Sequence, residues 1–188
     1  MAAAIYSTTA QDGIDINLVF ILDAKGTPEY PGPPFQPGEL AWGTDGSEWV
    51  YSTASLTLAA GSVVIFNPTP GSWSVAAVTN TLARNQYGNL LGVVGGSQGS
   101  MFVPAPSGTQ TATYFWVQRA GNAPKVLAAG TISPNASVFT TATGGQLGGS
   151  LGAATNAFVN GLVFSQATPA ASGSGNAVLN YPVAGIAE

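Results

Sequence analysis

The chain has no histidine and no cysteine, and between Trp49 and Ala187 it has no aspartate or glutamate either. Most of its length therefore lacks every common general acid, general base and metal ligand. The charged side chains of this stretch are Arg84, Arg119 and Lys125. Because none of them has a carboxylate or imidazole close in sequence to activate it, we expect no enzymatic activity and no cofactor.

Charge of either sign is scarce. Lysine and arginine number 4 and aspartate and glutamate 8 among 188 residues, which gives a formal net charge of −4. Four basic residues cannot line a path of phosphate contacts, so nucleic-acid binding is not expected. An extended neutral surface of small and amide side chains instead suits a protein that works inside an assembly.

Long hydrophobic runs are also missing. The longest strongly apolar run, LVFIL at residues 18–22, is far shorter than the roughly 20 residues that span a bilayer, so we expect no membrane association. The first nine residues have neither a positive charge nor an apolar centre, so no secretory signal is expected. The lack of cysteine excludes disulfides and leaves the compartment open.

One glycine-rich stretch matches a catalytic pattern. GGSQG at residues 95–99 has the G-x-S-x-G spacing of a nucleophile elbow centred on Ser97. A serine nucleophile needs a base, and the chain contains no histidine. We interpret the stretch as a glycine loop without catalytic function.

The closely spaced carboxylates are Asp12, Asp15, Asp45 and Glu48. Their spacing does not match a calcium loop, and pairs of carboxylates supply too few oxygens for the six to eight ligands that calcium prefers. We therefore expect no metal site. Asp45-Gly46 is instead predicted to form a turn before a strand.

The distribution of charge divides the chain in two. Seven of the eight carboxylates precede Trp49, so we predict an extended arm over residues 1–44 and a body over residues 45–188. In the arm, residues 14–22 read as a strand. Prolines crowd residues 27–39, which predicts an extended or polyproline conformation there.

The body alternates short apolar segments with turn signals. We predict strands at residues 48–58, 62–66, 73–79, 89–94, 113–119, 125–128, 136–141, 157–165 and 176–181, and a short helix at 80–85. Turns are expected between them, including Gly121-Asn122 and residues 172–175. This pattern predicts an all-β fold: a single β-sandwich or barrel-like domain with an extended N-terminal arm.

The arm's apolar side chains are the candidate protein-binding residues. An apolar strand joined to an extended linker suits packing on its own body and addition to a neighbour's sheet edge equally well, and the sequence leaves both open. The candidates are Ile14, Ile16, Leu18, Phe20, Leu22, Tyr30, Phe35 and Trp42.

The aromatic residues of the body allow a second interpretation. Trp49, Trp73 and Trp116 and their neighbours would suit a platform for a sugar, but aromatic residues on strands more often belong to the core. Alternation places Trp49 and Tyr51 on one face of their strand and Val50 on the other. We therefore predict core positions for them.

Several segments, taken in order, resemble the small head-decoration proteins of tailed bacteriophages. They are DGSEWVY at residues 45–51, GVV at 92–94, YFWVQRAG at 114–121, VLA at 126–128 and VFTTATGGQL at 138–147. The resemblance covers about residues 45 to 165, and each segment alone is short. The arm, and residues 104–112, depart from the pattern.

The resemblance implies a structural virion protein that cements the outer surface of a phage head by bridging major capsid subunits. It also implies self-association as a homotrimer or other homo-oligomer, synthesis in the host bacterial cytoplasm, and a place on the exterior of the virion. The alternative is a non-enzymatic β-sandwich module that binds carbohydrate or a cell surface.

Overall fold

The structure is a computed structural model that describes residues 5–6, 16, 20–23, 33–43, 45–55, 58–67, 69–86, 88–95, 110–150, 156–169 and 173–185. These residues contain twelve strands and one helix. In chain order the elements are β1 (Ile5–Tyr6), β2 (Phe20–Asp23), β3 (Leu40–Gly43), β4 (Glu48–Ala54), β5 (Val63–Phe66), β6 (Val75–Ala77), α1 (Asn80–Asn85), β7 (Leu91–Val94), β8 (Gln110–Ala128), β9 (Val138–Thr140), β10 (Leu147–Gly148), β11 (Phe158–Phe164) and β12 (Gly173–Gly185).

The twelve strands form one mixed sheet, and the 19-residue strand β8 connects its two halves. In the first half of β8, Val117 pairs with Val50 of β4 on one edge and with Val94 of β7 on the other. β2 pairs with the first residues of β8, and β3 extends the sheet beyond β4. A single strand therefore carries ladder hydrogen bonds to most of the N-terminal half of the fold.

The second half of the sheet closes on itself. β8 pairs with β12, β12 with β11, β11 with β9 and β9 with β10, and β10 returns to β8 at Ala128. All of these pairs are antiparallel except the last. The circuit confirms an all-β fold with a barrel-like closure, a geometry that leaves no open edge inside the circuit.

Three buried clusters lie between and beside the strands. Val63 and Ile65 of β5 belong to the largest, which we call the inner core, whereas Val64 and Phe66 belong to a second, the middle core. Every residue of β5 is buried because both of its faces are covered. This explains its uninterrupted apolar sequence, which is typical of strands inside a layered core.

The third cluster, which we call the aromatic cluster, comprises Ala41, Trp49, Tyr51 and Trp116. The predicted alternation of β4 is confirmed, because Trp49 and Tyr51 lie in this cluster and Val50 lies in the middle core. β8 is buried on both faces in the same way, with Trp116 in the aromatic cluster and its neighbour Val117 in the middle core.

The helix predicted at residues 80–85 is confirmed as α1. Thr79 caps it, because its Oγ1 accepts a hydrogen bond of 3.2 Å from the backbone N–H of Leu82. The first helical residue is tied to the sheet, since Asn80 Oδ1 accepts a hydrogen bond of 2.9 Å from Thr140 Oγ1. None of the described helical structure reaches the length and hydrophobicity needed to cross a membrane.

The turn predicted at Gly121-Asn122 is wrong, because both residues lie inside the continuous strand β8. Gly121 has a φ of +92°, and a Cβ atom there would lie 2.6 Å from the Cα of Ser47. Glycine thus bends the strand without ending it and allows the residue before β4 to approach. The strands predicted at residues 113–119 and 125–128 are therefore two parts of the single strand β8.

The turn predicted at residues 172–175 is also wrong where the structure describes it. Residues 173–175 begin β12 and pair with the end of β8. A Cβ atom at Gly175 would lie 2.8 Å from Cγ2 of Thr168. Close packing, and not a turn, explains this glycine.

The extended conformation predicted for residues 27–39 is wrong for its last four residues, and residues 27–32 lie outside the described chain. The backbone N–H of Glu39 donates a 3.0 Å hydrogen bond to the carbonyl of Gln36, which closes a turn. Pro37 occupies the second position of that turn and Gly38, with φ of +96°, the third. Proline followed by a left-handed glycine is the pattern of a type II turn.

Two described segments of the predicted arm are joined to the body by strand pairing. Leu40–Gly43 pairs with β4 and Phe20–Asp23 pairs with β8, whereas Ile5–Tyr6 pairs in parallel with β3, within the arm itself. The sequence left two uses open for the arm, packing on its own body and addition to a neighbour's sheet edge. In the structure, the described parts of the arm pack on their own chain. Its use on a neighbour stays a prediction.

Candidate interaction surface

The predicted protein-binding residues occupy different surroundings. Ile14, Leu18 and Tyr30 lie outside the described residues. Phe20 is 7 % exposed, and Leu22 lies in β2, where its backbone is paired with Ala112 of β8. The other three, Ile16, Phe35 and Trp42, are half-buried.

Phe35 packs against the aromatic cluster of its own chain. Its ring centroid lies 5.4 Å from that of Tyr51 and 5.2 Å from that of Trp116, both in edge-on contacts. Ile16 packs against the same cluster. Edge-to-face aromatic pairs at these distances are attractive beyond their buried area. The arm therefore covers part of the body's own apolar surface.

Two buried polar atoms of the aromatic cluster have no hydrogen-bond partner among the described residues. They are the hydroxyl of Tyr51 and the indole N–H of Trp116, whose residues are both 0 % exposed. Burial, reinforced by the neighbouring charges of Tyr114 and Glu39, raises the pKa of Tyr51 well above its ordinary value. Trp49 differs, because its indole N–H donates a 3.0 Å hydrogen bond to Ser47 Oγ.

The charged centre of the described chain is an ion pair between Glu48, the first residue of β4, and Arg119 of β8. Glu48 Oε1 accepts hydrogen bonds from the Nε atom of Arg119, at 3.1 Å, and from its Nη2 atom. The side chains are 8 % and 13 % exposed. A nearly buried guanidinium needs such a partner, since an isolated buried charge is very costly.

Tyr181 of β12 completes this cluster. Its hydroxyl donates a 2.6 Å hydrogen bond to Glu48 Oε2, and the guanidinium carbon of Arg119 lies 5.7 Å from its ring centroid. Tyr181 has a φ of +46°, a backbone conformation that is uncommon for a non-glycine residue. β12 has three residues between its pairs with Leu162 and Asn160, where β11 has only Gly161, so the strand bulges at this tyrosine.

The pKa values of this cluster follow from its contacts. Burial alone would raise the pKa of Glu48, but hydrogen bonds from Tyr181 and Arg119, together with the guanidinium charge and a hydrogen bond from Trp42, outweigh it and hold that pKa below its ordinary value. The same hydrogen bond to Glu48, and its negative charge, raise the pKa of Tyr181. The carboxylate is therefore ionised and occupied, which does not suit a general base.

Asp45 lies in a turn, as predicted. Its Oδ1 accepts a 3.0 Å hydrogen bond from the backbone N–H of Ser47, and Gly46 has a φ of +81°. Burial would raise the pKa of Asp45, but its hydrogen bonds with Ser47 lower it. Within the described residues, no group of three or more histidine, cysteine or acidic side chains is placed to hold a metal ion.

A cleft of about 140 Å³ lies where β7, β8 and the arm meet. Its apolar lining includes Ile16, Trp49, Val93 and Pro124, and Lys125 also lines it. Gln118 also lines the cleft, and its amide donates hydrogen bonds to two carbonyls of its own strand. The cleft is smaller than the roughly 300–1,000 Å³ of typical ligand pockets and offers few polar groups for a small-molecule ligand.

The other motifs contribute little to a site. Ser97 and its glycine loop lie outside the described residues, so the interpretation of that loop stays a prediction. The predicted core position of the aromatic residues is confirmed for Trp49, Tyr51 and Trp116, whose exposed fractions are 4 %, 0 % and 0 %. These three rings are not available as a platform for a sugar.

The cluster of Glu48, Arg119 and Tyr181 was not predicted from the sequence. Arg119 lies 71 positions and Tyr181 133 positions from Glu48 in the sequence, so no local spacing connects the three residues. One signal was present. Arg119 ends the apolar strand predicted at residues 113–119, where a guanidinium close to the core needs a carboxylate partner, but the sequence does not indicate which carboxylate supplies it.

Comparison with known proteins adds no assignment. No family model matches the chain, and no curated protein matches it significantly. The resemblance to head-decoration proteins therefore depends only on the short segments quoted above and stays a prediction.

Proposed function

We propose that the chain is a structural virion protein: a head-decoration, or cement, protein that binds the outer surface of a phage head and bridges major capsid subunits. The observation that carries the proposal is a closed β fold combined with a body almost free of charge. Residues 126–187 contain no aspartate, glutamate, lysine, arginine or histidine, and they include β9 to β12.

The construction of the fold supports a mechanical role. β8 is paired to other strands over nearly its whole length and joins the open half of the sheet to the closed circuit. Force applied at one half would therefore be carried to the other through backbone hydrogen bonds in parallel. The buried cores on both faces of β5 and β8 resist relative sliding of the layers.

The chemistry of the described residues supports binding over catalysis. Glu48, the acidic residue of β4, is engaged by Arg119 and Tyr181. The exposed positions of β11 and β12 carry no formal charge; they are Asn160, Gly161, Val163, Val178, Asn180 and Tyr181. Contacts made by such a surface depend on shape, apolar burial and hydrogen bonds, which are the interactions of a permanent assembly.

The carbohydrate-binding alternative has less support. It required exposed aromatic rings, and the three best candidates on β4 and β8 are buried. Trp73 is half-buried, packed edge-on against Phe66 at 6.4 Å. No specific feature of the described residues favours this alternative over the structural role.

The experiment is to purify phage particles from cells that produce the protein and to image them by cryo-electron microscopy. The proposal expects many equivalent copies on the outer surface of the head, at the junctions of capsid subunits. A protein absent from purified particles, or confined to the tail, would contradict it. Binding of the isolated protein to a glycan array, with no copies on heads, would favour the carbohydrate alternative.

A further inference from the structure

Asn160 of β11 is the one asparagine in the sequence that glycine follows directly. Both Asn160 and Gly161 are exposed. Among the described residues the side-chain amide of Asn160 has no hydrogen-bond partner, whereas the amides of Asn80 and Asn89 each donate to another residue. The amide of Asn160 is therefore open to water and free to rotate.

The ladder between β11 and β12 is interrupted at Gly161. Asn160 pairs with Val183 and Leu162 with Leu179, so Gly161 faces the bulge of β12 and lies outside the register pairs. Its φ is +77°, a conformation that glycine enters and leaves at little steric cost. A bulge disrupts the ladder locally, so the peptide nitrogen of Gly161 is less restrained than one in a regular strand pair.

An asparagine followed by glycine can close a five-membered ring with the next peptide nitrogen. The nitrogen of Gly161 attacks Cγ of Asn160, and an N–Cγ bond forms. The Cγ–Nδ2 bond breaks, and the proton of the attacking nitrogen leaves with Nδ2 as ammonia.

Water then opens this succinimide ring. Attack at Cγ breaks the new N–Cγ bond and leaves aspartate, whereas attack at the backbone carbonyl carbon of Asn160 breaks the original peptide bond and leaves isoaspartate. Water is the only co-reactant, so the sequence of steps needs no oxidant, metal or catalytic side chain.

We propose that Asn160 is a site of spontaneous modification in the folded protein, where its side-chain amide is converted through a succinimide to aspartate or isoaspartate. Either product adds a negative charge to residues 126–187, which carry none, and isoaspartate also adds a carbon atom to the backbone of β11. The inference does not depend on the proposed place of the protein on a phage head, because the reaction takes place within a single chain.

The test is to incubate the folded full-length protein at mildly alkaline pH, which favours loss of the proton from the attacking nitrogen. Anion-exchange chromatography and peptide mass mapping follow the products. The proposal expects a more acidic species in which OH replaces NH2 at residue 160. Isoaspartate should be found there, because direct hydrolysis of the amide would give aspartate alone.

Two exposed asparagines on neighbouring strands serve as internal controls. Asn122 of β8 is followed by alanine and Asn180 of β12 by tyrosine, and the Cβ atoms of these residues hinder ring closure. Conversion of Asn160 should therefore be about tenfold or more faster than that of either control, since glycine has no Cβ atom. Equal conversion at Asn160 and Asn180 would overturn the proposal.

Two variants complete the test. Asn160→Gln lengthens the side chain by one methylene, so ring closure slows and the acidic species should disappear. Asn160→Asp has the added charge on an unmodified backbone and should co-elute with the aspartate product. Circular dichroism establishes that each protein stays folded during incubation. An Asn160 that remains intact in the folded protein would overturn the proposal even if it reacts in urea, because the fold would then protect the site.

Discussion

Glu48 and Tyr181 are joined by a 2.6 Å hydrogen bond, although 133 residues separate them in the chain. The bond links the start of β4 to a bulge in β12, and Arg119 of β8 bonds to the same carboxylate. Three strands that meet near Ala120 are thus held by one side chain. Its location between the open and closed halves of the sheet gives the cluster a role in joining them.

Replacement of Glu48 by glutamine should lower the free energy of unfolding by about 1–3 kcal/mol, because it leaves the nearly buried Arg119 guanidinium without a counter-charge. Urea denaturation measures the change. The double variant Glu48→Gln with Arg119→Met also removes the unpaired guanidinium charge, so it should recover part of the lost free energy of unfolding. If Glu48→Gln is as stable as the wild type, the ion pair makes no net contribution to folding.

Stability should decrease in acid because of the same carboxylate. The pKa of Glu48 in the folded protein lies below the ordinary value of 4.5, so its stabilising contribution is complete above that value and is lost as the pH falls through the folded pKa. Asp45, whose pKa is also lowered, acts in the same direction. Unfolding free energies measured between about pH 6 and pH 3 should fall more steeply for the wild type than for Glu48→Gln. Parallel curves would contradict the assignment.

Gly121→Ala should lower the free energy of unfolding by about 2 kcal/mol or more. It combines a left-handed backbone with a Cβ atom 2.6 Å from the Cα of Ser47. Gly46→Ala is the matched control. Gly46 also has a positive φ, of +81°, but has no atom within 4 Å of the added Cβ, so it should lose only about 1 kcal/mol. Equal losses in thermal or urea unfolding would show that the close approach is relieved by a small backbone shift.

These residues also mark the limit of what the sequence predicts. Period-two alternation and turn residues are local signals, and they located β4, β5, β7 and β11 to within a few residues. At Gly121 the same local signal failed, because glycine followed by asparagine is typical of a turn and only the approach of Ser47 explains its place inside a strand. Pairings such as that of Ala128 with Leu147 arise from chain closure, which no local pattern contains.

The site was less predictable than the fold for a similar reason. Burial of Trp49 and Tyr51 followed from alternation along a single strand. The packing of Phe35 on Tyr51 required knowledge of the turn at residues 36–39 and of the pairing of β3 with β4. Long-range contacts of that kind depend on strand register, and a one-residue change of register would place every side chain on the other face.

Tyr51→Phe should leave the protein as stable as the wild type or raise its free energy of unfolding by up to about 1 kcal/mol. Within the part of the chain that the structure describes, the hydroxyl is buried without a partner, and removing an unsatisfied polar group removes its desolvation cost. Ser47→Ala provides the contrast, because it takes away the acceptor of the Trp49 indole N–H and should cost about 1 kcal/mol. A clear loss of stability in Tyr51→Phe would reveal a partner for the hydroxyl.

Attachment to phage heads should vary little with salt if the proposed function is correct. Arg119 is neutralised by Glu48, and residues 126–187 carry no charge, so the contact surface has few groups on which screening could act. The Debye length falls from about 10 Å at 0.1 M salt to about 3 Å at 1 M, which weakens charge-driven binding and leaves apolar burial intact. Occupancy on purified heads, measured by quantitative gel analysis across that range, should stay nearly constant. Loss of most copies at high salt would show that the carboxylates before Trp49 bind a basic capsid surface and dominate the attachment.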